Sequence, residues 1–91
     1  MLVRFENDEK GYLDWIRLNQ YRFVLNTDQD HVSPVYPMLH RASHRLISSP
    51  ARENYTTKRF FKVCSDNVRE LGSWSRSERG RSLTKCKTCR P

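Results

Sequence analysis

Two short pairs of side chains in this sequence have the types and spacing of metal ligands. His40 and His44 stand four apart in "LHRASHRLI", and Cys86 and Cys89 three apart in "TKCKTCRP". Positions four apart share one face of a helix, so the first pair predicts a short helix over 40–47 that offers both imidazoles to one ion. A Cys-x2-Cys turn presents two sulfurs to the same ion, a spacing that recurs in structural zinc sites. Together the pairs make a complete set of four ligands for one structural Zn2+. Two other readings stay open from spacing alone: a redox dithiol at Cys86 and Cys89, and no site at all. Lys85, Lys87 and Arg90 flank the sulfurs and favour thiolates, which suits either a metal or a redox pair.

A closed four-ligand site leaves no coordination position for a reacting water, so no catalytic residue is expected. Glu53 and Glu70 are the carboxylates nearest in sequence, and neither stands in a His-Glu-x-x-His arrangement. Cys64 sits in a strand-like run, where a buried inert thiol is the ordinary fate; as a replacement ligand it would need one histidine to stand free. His31 lies in a polar, acidic loop and is expected to face solvent.

The elements that must position these ligands follow from pattern. One domain spans 1–91, with 1–35 as a helix-strand N-terminal part and 36–91 as a basic zinc-binding part. "MLVRF" predicts a short edge strand. Asn7 or Asp8 caps a helix to about Asn19, whose apolar side carries Tyr12, Leu13, Trp15, Ile16 and Leu18. "YRFVLNT" alternates as a strand, and "VYPML" is extended, with Pro37 confining it to an edge or an irregular position. Leu46 and Ile47 are expected to point inward. "SSPARENYTT" has turn composition. "KRFFKVCS" is the clearest strand, with Phe61 and Val63 on one face and Phe60 and Cys64 on the other. Ser65 or Asp66 caps a second helix to about Ser77. The tail "SERGRSLTKCKTCRP" has no hydrophobic period and is expected to be ordered chiefly by metal. The fold class is therefore α+β, a small antiparallel sheet with two main helices and a structural zinc site.

Composition supports a metal. Only 36% of the 91 residues are hydrophobic and 30% are charged, so apolar burial alone leaves stability thin. An ion joining His44 to Cys86 would close a loop of about 40 residues and restrict the unfolded chain. Three cysteines are an odd number, which argues against a secreted disulfide framework. No apolar run approaches the roughly 20 residues that cross a bilayer, and "MLVRFENDEK" lacks a signal-peptide profile. A cytoplasmic protein with no membrane partner is expected.

Charge is unevenly spread. Residues 1–35 carry four basic side chains against six acidic, a net of −2, and residues 36–91 carry thirteen against four, a net of +9; together these make the +7 of the chain. Zinc held by two thiolates and two neutral imidazoles adds nothing net. The asymmetry points to a polyanion, with DNA favoured among nucleic acids. The candidate phosphate-binding residues are Arg41, Arg45, Arg52, Lys58, Arg59, Arg76, Arg79, Arg81, Lys85, Lys87 and Arg90. A protein partner is the alternative, met by an adaptor surface on the apolar N-terminal helix or at a sheet edge.

The order "YPMLHRASHRLI", "FFKVCSDNVREL", "CKTCRP" over 36–91 resembles the Ada-type metal-binding domain of bacterial DNA repair proteins. "GYLDWIRLNQYRFVLN" looks like the opening of small uncharacterised bacterial proteins that end in such a module. The resemblance implies zinc and DNA contact. In the Ada-type domain all four ligands are cysteines and one accepts a methyl group; here the first pair is His40 and His44, and imidazole is not that acceptor.

Overall fold

In a computed structural model, which describes residues 1–30, 34–49 and 52–91, the chain runs β1 (Val3–Phe5), α1 (Glu9–Leu18), β2 (Phe23–Asp28), β3 (Met38–Arg41), α2 (Arg45–Ser48), β4 (Phe60–Ser65), α3 (Val68–Arg79) and β5 (Thr84–Lys85). His31 and the Pro50–Ala51 stretch lie outside the described residues. The strands form one sheet in the order β1-β4-β2-β3-β5. The pairings β1/β4, β4/β2 and β2/β3 are antiparallel, whereas β3/β5 is parallel, so the sheet is mixed and not purely antiparallel. The α+β class holds.

Local chemistry explains the helix ends. Asp8 caps α1 by accepting from the Gly11 N–H at 2.9 Å. Asn67, rather than Ser65 or Asp66, caps α3, accepting from the Arg69 and Glu70 N–H groups. Gly80 ends α3 in the left-handed region at φ 69°, where a glycine carries no Cβ penalty. The short edge strand β1 is tied to α3 from outside, because the Met1 amine meets Asp66 at 3.1 Å and Glu70 at 3.0 Å.

β2 is flanked by β4 and β3, and both of its faces are covered. The α1/α2 face buries Val24 and Cys64 with Phe5, Tyr12, Ile16, Ala42, Ile47 and Tyr55. The α3 face buries Leu25, Leu39, Phe61, Val63 and Leu71, with Val68, Trp74 and Leu83 packed against them. Phe61 and Val63 thus fall opposite Cys64, as alternation requires. Two expectations change. Leu46 faces solvent while Ile47 alone of the pair points inward. The 40–47 stretch is not one helix: His40 ends up on β3 and His44 immediately precedes the four-residue α2.

Candidate metal centre

β3 is entered through a cis Tyr36–Pro37 peptide. The register places Val24 opposite both Cys64 and His40, so His40 faces the α1/α2 side and is 5% exposed. The chain then turns back on itself. The His44 N–H donates to the Arg41 carbonyl at 3.0 Å, and the buried Ala42 anchors the turn through its N–H to the Arg22 carbonyl at 2.8 Å. His44 arrives beside His40 with the rings stacked, 5.3 Å between centroids and 12° between planes. A strand followed by a turn, and not a helical face, brings the two imidazoles together.

The cysteines reach the same place along β5. The Thr84 N–H donates to the Pro37 carbonyl and the Cys86 N–H to the Leu39 carbonyl, both at 2.9 Å. The Arg90 N–H donates to the Cys86 carbonyl at 3.1 Å and closes the Cys-x2-Cys turn. Arg41 locks that turn to β3. Its backbone N–H donates to Cys89 Sγ at 3.3 Å, its Nε to the Cys89 carbonyl and its Nη2 to the Arg90 carbonyl, each at 2.9 Å.

One ligand atom from each of His40, His44, Cys86 and Cys89 lies within 4.8 Å of all the others, and Cys89 Sγ is 3.9 Å from His40 Nδ1. A tetrahedral ion with bonds of about 2.0–2.3 Å needs donors about 3.3–3.8 Å apart, so small side-chain movements close the set. The buried His44 Nε2 has no hydrogen-bond partner among the described residues, as expected of a nitrogen that gives its lone pair to a metal. The four side chains therefore fit one metal ion.

Electrostatics agree. Burial, and then the neighbouring His44, lower the His40 pKa to about 4, so its imidazole is neutral near pH 7 and free to ligate. Burial pushes the Cys86 thiol up, but hydrogen bonds from the Cys89 and Thr88 N–H groups outweigh it and leave Cys86 below the ordinary thiol range. Cys89 is raised by burial and by the Cys86 sulfur beside it. One thiolate thus forms readily, and a cation would draw out the second. Cys64 is buried in the sheet outside this cluster, its thiol pushed well up by burial. Glu70, one of the two carboxylates weighed for catalysis, is bound to Ser65 Oγ at 2.7 Å and to the Met1 amine.

The basic candidates take several roles. Arg41 is the clamp just described. Arg45, Arg52, Lys58, Arg59, Lys85, Lys87 and Arg90 are exposed. Arg76 is exposed on α3, Arg79 is half-buried over the Phe61 ring at 5.2 Å, and Arg81 Nη1 donates to the Tyr36 carbonyl at 3.5 Å. Arg69, absent from the sequence reading, is exposed on the same helix as Arg76; a seven-residue spacing was the available signal. Lys62 was also missed. It is 2% exposed, its Nζ donates to the Tyr55 carbonyl at 2.5 Å, and it lies 5.5–5.7 Å from the rings of Tyr12, Tyr55 and Phe60. Strand alternation puts Lys62 on the α1/α2 face, but nothing in the sequence marks that position as covered.

Ion pairing follows the charge asymmetry. Arg4 meets Glu6 at 2.8 Å, Lys10 and Arg17 meet Asp14 at 3.2 and 3.6 Å, and Arg22 meets Asp66 at 3.8 Å. Among the described residues no ion pair holds Arg41, Arg45, Arg52, Lys58, Arg59, Arg69, Arg76, Lys85, Lys87 or Arg90.

No protein-family model, no curated protein and no solved structure matches this chain.

Proposed function

We propose that this chain is a zinc-structured module that binds nucleic acid, DNA in the first place, and carries out no chemistry of its own. Two imidazoles and two thiolates are a donor set suited to Zn2+, and four protein ligands make the ion a structural clamp. The clamp fixes β5 and the Cys-x2-Cys turn against β3, and with them the backbone that carries Lys85, Lys87 and Arg90. Thiolate ligands need a reducing compartment, consistent with a cytoplasmic protein.

The observation that carries the nucleic-acid reading is the pairing asymmetry. All four cationic side chains of the acidic N-terminal part are matched by carboxylates, while ten in the basic part have none among the described residues. Unmatched cations at this density repel one another, and a polyphosphate relieves that repulsion and releases counterions on binding. The Ada-type order of elements points the same way, with methyl transfer left out because no cysteine stands at 40 or 44. Fluorescence anisotropy with labelled DNA and RNA tests the reading. Binding at about 50 mM salt should weaken linearly on a log-log scale as salt rises; no measurable binding to any of them would refute it.

A protein partner is the second reading, and one feature favours it. Tyr12 and Ile16 belong to the core and Trp15 packs against it, but Leu18 at the end of α1 and Tyr21 in the turn that follows are 72% and 99% exposed. Leu18→Ser with Tyr21→Ser leaves nucleic-acid affinity unchanged if the first reading holds.

A further inference from the structure

A groove of about 520 Å³ runs between α3 and the segment that leads into β5, and none of the four metal ligands lines it. From α3 it receives Arg69, Gly72, Ser73 and Arg76, positions that share one helical face. Ser82 and Leu83 form the opposite wall. Gly72 sits inside the helix, where glycine costs about 1 kcal/mol relative to alanine, and its backbone has no positive φ to require it. A Cβ there would stand in ordinary van der Waals contact with Arg76 Nη1 at 3.5 Å and Leu83 Cδ2 at 4.0 Å, so the Arg76 guanidinium lies directly over this position on the groove floor.

The charge in this groove is uncompensated. Arg69 and Arg76, about 10 Å apart along the axis from a rise of 1.5 Å per residue, are exposed and outside every ion pair among the described residues. The carboxylates of α3 are directed elsewhere: Glu70 to Ser65 and the Met1 amine, Glu78 to a separate cleft shared with Arg4 and Trp74. Arg69 at one end, the Arg76 guanidinium folded back over Gly72, the hydroxyls of Ser73 and Ser82 and the apolar Leu83 match a strand with spaced phosphates and exposed sugar and base faces. We infer that the groove is the track for single-stranded nucleic acid, with Arg69 and Arg76 on phosphates and a nucleoside against Leu83; this rests on the nucleic-acid reading above and assigns its surface.

The test is anisotropy with an eight-nucleotide single strand, the matching duplex, and inorganic phosphate and a mononucleotide as competitors. Arg69→Ala/Arg76→Ala should weaken single-strand binding about tenfold and flatten its salt slope by about 1.4, at about 0.7 per phosphate lost. Gly72→Gln, which puts a longer side chain where the Arg76 guanidinium lies and removes no charge, should weaken it with a smaller change in slope than the arginine pair gives. Thermal melts establish that the variants fold, and the arginine pair, on an exposed face, keeps the test standing if Gly72→Gln does not. Wild-type protein that binds no nucleic acid refutes the functional reading itself. Wild-type binding left intact by the arginine pair, equal losses on the duplex, or a mononucleotide competing as well as the octamer each overturns the groove assignment.

Discussion

Arg41 grips Cys89 at two points and its neighbour Arg90 at a third: its backbone N–H reaches the Cys89 sulfur, and its guanidinium spans the carbonyls of Cys89 and Arg90. A strand residue between the two histidines thereby holds the turn that carries the second pair of ligands. Metal site and fold are coupled at this one side chain, which gives it a structural duty that the other unmatched cations around it lack.

Removing the fork should therefore be felt by the metal. Arg41→Ala loses two hydrogen bonds worth about 0.5–1.5 kcal/mol each, so apparent metal affinity should fall about tenfold, read by competition with a chromogenic chelator. Arg41→Lys should not restore it, because an ammonium cannot span two carbonyls in the guanidinium geometry. An Arg41→Ala affinity equal to that of wild type contradicts the clamp.

Tyr12 joins α1 to α2, its hydroxyl donating to the Ile47 carbonyl at 2.5 Å in the core. Tyr12→Phe removes the donor and leaves a buried carbonyl short of a partner, at a cost of about 1–3 kcal/mol in urea unfolding. A change below 0.5 kcal/mol, on the order of error, shows that water reaches this carbonyl.

Lys62 makes stability depend on pH in a definite direction. Burial lowers its pKa from 10.5 to about 8, against the opposing pull of Cys64 and Glu9. Between about pH 8 and 10.5 the unfolded chain holds this proton and the folded chain does not, so this group's contribution rises with pH across that window. The burial cost is fully present below pH 8. Comparison with Lys62→Met cancels the other titrating groups. From pH 7.5 to 9.5 the stability difference should move in favour of wild type by about 2 kcal/mol. A flat difference would mean that Lys62 titrates normally.

Periodicity and capping made several elements readable. Asp8 before an acidic first turn gave the start of α1, and the alternation in β4 correctly separated Phe61 and Val63 from Cys64. The ligand pairs were readable because residue type carries the chemistry whatever backbone presents it. That same indifference hid the backbone: a four-residue spacing fits a helical turn as well as a strand end plus a turn, and His40 and His44 use the second. β5 was invisible because two residues show no period, and it is held by hydrogen bonds to the carbonyls of Pro37, just before β3, and Leu39, on β3. Ser65, Asp66 and Asn67 are all good caps, so residue type alone does not single out Asn67 as the start of α3.

The most direct measurement is the metal content of protein purified without added metal, by inductively coupled plasma mass spectrometry, for wild type, His44→Ala and Cys86→Ser, with amide hydrogen exchange followed over residues 81–91. Wild type should carry close to one zinc per chain. Both variants should lose most of it, and exchange in the β5 and Cys-x2-Cys region should rise in each while β2 and β4 stay protected. Wild-type protein with no bound metal and an equally protected C-terminal segment would contradict a metal clamp joining the end of this chain to its centre.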